Sequence, residues 1–264
     1  MRWKPKDSIA VVTGASSGIG HCLCELLLDR GATVVGVARR GERLADLAAR
    51  TGTGRFISVV GDVTDAGVRE QILAAAADVD DGRLDLLVNN AGIGAIGPFA
   101  DADEARLRQI MEVNFFAPAE LMRDAIPMLR RGRAPVICNI SSVLGHRAVP
   151  DKSEYCASKF ALHGLSDSIR AELARDSHHG NSIQVTLVSP STTRSEFFDS
   201  LIGSDAAAKS KSIGSWPPEK VARATLAAIE SRRSEVILSL AGKALVYADR
   251  ISPPLMNSIL ARSN

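Results

Sequence analysis

Aromatic side chains are scarce in this chain, at 4% of 264 residues. Without clustered aromatics there is no platform on which bases could stack, which argues against a single-stranded nucleic-acid binder. An excess of one charge is also lacking: 32 Lys and Arg stand against 30 Asp and Glu, a formal net charge of +2. That balance makes no electrostatic case for nucleic acid or for an anionic membrane surface. No apolar run reaches the roughly 20 residues of a membrane-spanning helix. Residues 1–7 carry no apolar stretch of signal-peptide type, so the expected location is cytoplasmic. Only four cysteines occur. Cys22 and Cys24 fall two apart in an expected helix, where side chains diverge, and Cys138 and Cys156 stand apart from them. All four read as buried thiols of a reducing compartment. His21, His146, His163, His178 and His179 show no ligand spacing, and no metal is expected.

What the chain does have is regular alternation. Short apolar runs at 8–13, 33–38, 56–60, 84–89, 135–141, 182–188 and 235–240 read as strands. Helical patterns fill 18–30, 42–50, 66–79, 104–131 and a segment from about Tyr155 to Ser177, with Pro118 and Pro127 marking bends or breaks in the long one. Strand–helix alternation without a composition break predicts one domain over 1–264. The expected fold class is α/β: a Rossmann-type doubly wound parallel sheet of about seven strands, with helices on both faces. Ligands in such sheets sit beyond the carboxyl ends of the strands. Gly14, Ala38, Asp62, Asn89, Ser142 and Pro190 all fall at or just after those ends.

Two stretches carry chemistry. Thr13-Gly14-Ala15-Ser16-Ser17-Gly18-Ile19-Gly20 joins the first strand to a helix. Its glycines permit a tight turn and close backbone approach, and the helix N-terminus offers amide donors to a pyrophosphate. Tyr155 and Lys159 stand four apart and share one helix face, with Ser142 thirteen residues upstream of the tyrosine. An ammonium near a phenol favours the phenolate, which suits proton exchange with a carbonyl or alcohol oxygen.

Together with Asn89-Asn90-Ala91-Gly92 and Asn114, these motifs resemble a short-chain dehydrogenase/reductase of the classical type over roughly residues 8 to 240. The resemblance implies a catalytic group of Asn114, Ser142, Tyr155 and Lys159. Tyr155 would be the acid/base. Lys159 would lower its pKa and bind the nicotinamide ribose. Ser142 would hold the substrate oxygen, and Asn114 a relay water. It further implies cofactor contacts from Gly14, Ser16, Ser17, Gly18, Ile19, Gly20, Asp62, Val63, Asn89, Ala91, Gly92, Pro190, Thr193 and Ser195, besides Tyr155 and Lys159. His146, between Ser142 and Tyr155, is a candidate for the substrate pocket.

The end of the second strand bears on cofactor choice. NAD enzymes place an acid there for the ribose 2′-OH. This chain has Ala38, then Arg39 and Arg40, and a guanidinium suits a 2′-phosphate. NADP(H) is therefore the expected cofactor, with Arg39 as the main contact, Arg40 beside it and Ser16 assisting from the turn.

Two departures from the family pattern stand out. Ser191 replaces the glycine that usually follows Pro190, and the chain continues through a 241–264 extension with an apolar face broken by Pro253-Pro254. The 190–216 stretch, with Phe197, Phe198 and Leu201 as anchors, is expected to lid the substrate; Lys209 and Lys211 are read as solvated. The implied activity is NADP(H)-linked interconversion of a ketone or aldehyde and an alcohol, in a homodimer or homotetramer that binds no nucleic acid. Two rivals remain: a catalytically silent cofactor-binding regulator, and a lipid or sterol carbonyl reductase held at a membrane by the extension.

Overall fold

The computed structural model describes residues 2–52, 54–175, 182–193, 196–197, 201–202 and 215–262. Seven strands form one parallel sheet: β1 (Ile9–Thr13), β2 (Thr33–Ala38), β3 (Phe56–Val60), β4 (Leu86–Asn89), β5 (Val136–Ile140), β6 (Gln184–Ser189) and β7 (Glu235–Ile237). Their spatial order is β3-β2-β1-β4-β5-β6-β7. The direction of winding reverses between β1 and β4, and there the strand ends part to leave a crevice. This is the doubly wound architecture that the alternation predicts.

The strands are apolar runs because both faces of the sheet are covered. Along β1, Ala10 and Val12 point into one core while Ile9 and Val11 point into another. The first core is closed by Leu23, Leu27 and Leu28 of α1 (Gly18–Asp29), Leu44 and Leu47 of α2 (Gly41–Thr51), and Val221, Leu226 and Ile229 of α7 (Pro218–Glu230). The second is closed by Ile72 and Ala76 of α3 (Ala66–Ala77), Leu121 and Met122 of α5 (Ala117–Leu129), and Leu173 of α6 (Ser153–Arg175). All four cysteines are buried free thiols.

Local signals set the element ends. Gly31, at φ +88°, ends α1 in the left-handed region that glycine tolerates. Asp65 caps α3 by accepting from the Gly67 amide at 2.7 Å. The expected 104–131 helix divides differently from its prolines. α4 (Glu104–Met111) passes into a π-type turn at Glu112–Phe116 and then into α5. Pro118 lies in the first turn of α5, directly after the π-type turn, and Pro127 is carried inside that helix. The strand expected to run to residue 240 ends at Ile237. Ser239 accepts from the Gly242 amide at 2.8 Å and so caps a helix that begins at Leu240.

The extension forms two helices, α8 (Leu240–Ile251) and α9 (Pro253–Arg262). Val246 and Met256 turn inward, while Leu240, Tyr247, Ile251, Leu255 and Ile259 are exposed. Arg147 anchors the pair to the body through Asp249 at 2.8 Å and through Asn257. Among the described residues no helix is long and apolar enough to cross a membrane.

Candidate active site

The crevice opens into a cavity of about 1010 Å³ at the carboxyl ends of the strands. That volume is ample for a dinucleotide with a small substrate. One end is built by the turn between β1 and α1. A Cβ on Gly14 would stand 2.8 Å from Asn90 Nδ2, and one on Gly20 would stand 2.4 Å from the Gly14 carbonyl. Both positions are therefore closed to other residues. Gly14, at φ +69°, also holds a conformation that L-residues rarely adopt. Ser16, Ser17, Gly18 and Ile19 line the cavity. Gly20 does not line it: it gives α1 the clearance to pack against the turn.

Ala38, Arg39, Arg40, Asp62 and Val63 line the neighbouring corner. Asp62 accepts from the Thr64 amide and hydroxyl at 3.0 and 2.8 Å, and its other oxygen lies 3.7 Å from Arg39. Arg39 is largely exposed, whereas Arg40 is tied in. Its Nη2 and Nε donate to Ser16 Oγ at 3.1 and 3.3 Å, and its Nη1 pairs with Glu196 at 2.7 Å. The Arg40 hydrogen bond is the leading cause that holds the Glu196 carboxyl below the usual carboxylate range. Both arginines line this corner, and of the two Arg40 is the one bonded to Ser16 of the glycine turn.

Ala91 and Gly92 line the cavity beyond the β4 end, but Asn89 does not. Asn89 is buried within the sheet, donating to Asn139 Oδ1 at 2.8 Å, and Asn139 in turn donates to Ser166 Oγ at 2.9 Å. Its position at the last residue of β4 turns it into the sheet layer, where it braces the strands. Asn90 performs the bracing nearest the turn, donating to the Thr13 and Gly14 carbonyls at 2.9 and 3.3 Å.

Asn114 sits in the π-type turn, the kind of helix irregularity that often marks functional positions. It is buried, accepts from the Ile93 amide at 2.9 Å, and donates to the Ile93 carbonyl and to Ser158 Oγ at 2.9 and 3.0 Å. It clamps the loop after Gly92. A Cβ on Gly92 would meet Asn114 Oδ1 at 3.2 Å and Lys159 Nζ at 3.7 Å, so the glycine leaves space between those groups.

The reactive end lies between β5 and α6. Ser142 follows β5, accepts from the Leu144 amide at 3.1 Å, and lines the cavity together with Tyr155. Helical spacing puts Lys159 on the same face, with Nζ 5.6 Å from the Tyr155 ring centroid. Lys159 is buried and Tyr155 half-buried. Burial pushes the Tyr155 phenol up to about 12, against the Ser142 hydrogen bond, which pulls it down. Burial likewise pulls the Lys159 ammonium down to about 8. Lys159 donates to the Ile140 carbonyl at 3.2 Å. The expected lowering of the tyrosine pKa is therefore not what this geometry gives. The ammonium is itself desolvated and bonded to the backbone, and desolvation of the phenol prevails.

Pro190 and Thr193 line the cavity from beyond β6, and Ser191 takes the usual glycine position without a positive φ. Phe197 and Leu201 roof Gly94, where a Cβ would meet them at 2.8 and 2.6 Å, and the Phe197 ring stands 5.8 Å from that of Tyr155. Ser195, Phe198, Lys209, Lys211, His178 and His179 lie outside the described residues. His146 is not in the cavity wall. It turns away toward Glu235 at 2.8 Å and Ser189 at 3.3 Å. In its place the extension contributes Ala241, Gly242 and Leu245 to the wall, from a helix that nothing in the motif spacing points to.

This arrangement agrees with comparisons to known proteins. The short chain dehydrogenase family model matches residues 8–204. The chain is 31% identical to the uncharacterized oxidoreductase YxnA of Bacillus subtilis, over 98% of this chain and 73% of that protein. A solved short chain dehydrogenase/reductase from Burkholderia phymatum superposes with a TM-score of 0.84 at 24% identity, covering 96% of both chains, a likeness of fold. A short chain dehydrogenase from Burkholderia cenocepacia, solved with NADP, superposes with a TM-score of 0.81 at 27% identity, over 98% of this chain and 99% of that one. With its glycine turn, its serine–tyrosine–lysine group and this sheet order, the chain belongs to the short-chain dehydrogenase/reductase family, whose members are oxidoreductases working with a nucleotide cofactor.

Proposed function

We propose that the chain is an NADP(H)-dependent oxidoreductase that interconverts a ketone or aldehyde and the corresponding alcohol. The observation that carries this reading is that Ser142, Tyr155 and a buried Lys159 line one cavity with the glycine turn and Arg40. The residues fit the group. Gly14 and Gly92 leave the space that a side chain would fill, and Arg40 with Ser16 forms a cationic corner that already accepts the Glu196 carboxylate. No acid stands at position 38 to repel a 2′-phosphate.

Bound NADP(H) would supply or accept the hydride. Tyr155, protonated at neutral pH, gives its proton to the carbonyl oxygen in reduction and takes it back in oxidation. Ser142 donates to the same oxygen and stabilises the charge that develops there. The Lys159 ammonium offsets negative charge as the phenol loses its proton, an effect strengthened by the dry surroundings. Asn114 keeps the loop after Gly92 in place and with it the space beside Lys159. Phe197, Leu201 and Leu245 give the reactive end an apolar wall, which favours a carbonyl with a hydrophobic substituent. The test is NADPH oxidation with a panel of alkyl and aryl ketones and aldehydes. Turnover in wild type and its loss in Tyr155→Phe support the assignment, while tight NADPH binding without turnover on any carbonyl would leave the regulatory rival standing.

A further inference from the structure

Three side chains that the cavity does not use converge beside it. His146 lies in the turn after Ser142, His163 on α6 and Glu235 at the start of β7. One ligand-capable atom from each lies within 4.8 Å of the others. The two imidazole rings pack edge to face with centroids 4.4 Å apart. His146 Nε2 stands 2.8 Å from Glu235 Oε1, and His163 Nε2 stands 2.7 Å from Ser141 Oγ. The chain makes room for this cluster: a Cβ on Gly145 would lie 2.5 Å from His163 Nε2. Residues 17 and 72 positions apart meet here because β7 lies beside β6, and β6 beside the β5–α6 connection.

Two imidazoles and a carboxylate are a donor set suited to a borderline divalent ion. The His146 side chain is only 7% exposed while Glu235 is 40% exposed, which gives a cation an entrance on one side and a dry pocket on the other.

We propose that His146, His163 and Glu235 form a binding site for a zinc-class divalent cation, outside the catalytic cavity. A tetrahedral ion with bonds of roughly 2.0–2.2 Å needs ligand atoms about 3.3 Å apart, so side-chain rotations that draw the widest pair together by about 1.5 Å and open the His146–Glu235 pair by about 0.5 Å complete the site. A water fills the fourth position. Ser141 forms the second shell through its hydrogen bond to His163, and it directly precedes Ser142. Occupancy is thereby connected to the reactive end by one hydrogen bond and one peptide link.

The binding test needs no turnover, so its failure is separate from any failure of the proposed activity. Cofactor-free full-length protein is titrated with Co²⁺ and followed by visible absorption, with Zn²⁺ as competitor. The expected result is one equivalent bound, with the intense bands of a tetrahedral site that Zn²⁺ removes. His146→Asn and Glu235→Gln, each checked for unchanged melting and NADPH binding, should weaken the metal by roughly tenfold or more. No Co²⁺ or Zn²⁺ binding up to about 100 µM would overturn the proposal, as would wild-type metal affinity in both variants, which places the ion elsewhere.

Discussion

Arg40 is bonded to Ser16 through two guanidinium nitrogens, at 3.1 and 3.3 Å, and this joins the end of β2 to the glycine turn. The contact fixes a cation where a ribose phosphate would arrive. Arg40→Ala should weaken NADPH by roughly ten- to a hundredfold, because hydrogen bonds to charged groups contribute about 1.5–3 kcal/mol. Arg39→Ala should cost less, since that side chain is 69% exposed and screened. Glu196→Gln should strengthen NADPH by removing a carboxylate that competes for Arg40. The check is the ratio of NADPH to NADH affinity in each variant at fixed ionic strength. Equal affinity of the wild type for both cofactors would remove the basis for the NADP(H) assignment.

Tyr155→Phe takes away a proton donor while leaving the ring that packs on Phe197. NADPH affinity should stay within about twofold, and turnover should fall by a factor on the order of a hundred or more. Ser142→Ala should also cut turnover, by removing the partner of the phenol. Rate and cofactor affinity, measured separately, distinguish this from general disruption of the cavity.

The sheet was legible because its strands are short apolar runs separated by helical patterns, and because a buried parallel strand has no other sequence signature. The reactive group was legible because Tyr155 and Lys159 lie one helical turn apart, and because Ser142 ends a strand. Less could be read where chemistry depends on three-dimensional approach. Asn89 and Asn90 are adjacent and identical in type, so nothing in the sequence says which faces the turn and which the sheet. Arg39 and Arg40 pose the same ambiguity: only the observed bond to Ser16 separates them. His146 turns away from the cavity because Glu235 and Ser189, far along the chain, offer it partners. The cap at Ser239 was readable in principle, since a serine before a helical pattern is a start signal.

Apolar rings on α6 and on the π-type turn point to self-association. Phe116 and Phe160 are 47% and 44% exposed, and Leu107 of α4 is 37% exposed. Exposed aromatics on adjoining helices are the kind of surface a twofold interface covers. Light scattering at micromolar protein should give at least a dimer, and Phe116→Glu combined with Phe160→Glu should shift it toward the monomer. A monomeric wild type would contradict this, and an unaffected double variant would move the interface to another face.

Lys159 should lower the stability of the cofactor-free protein in order to serve the reaction. Burial depresses its pKa from 10.5 to about 8, so the folded state pays for an enclosed charge at neutral pH. Below pH 8 both folded and unfolded chains carry the proton, and the cost is present in full. Between pH 8 and 10.5 the folded state has released it and the unfolded state has not. The unfolded chain then binds more protons, so this group's effect is to raise stability as pH rises through that window. Lys159→Met keeps most of the length of the side chain and removes the charge. The cofactor-free variant should be more stable than wild type at pH 7 by up to about 3 kcal/mol, with the gap closing as pH approaches 10.5. It should also lose turnover and weaken NADPH. Denaturant unfolding of both proteins across this pH range measures the gap. A gap that does not change with pH would show that shape, rather than the buried ammonium, sets the difference.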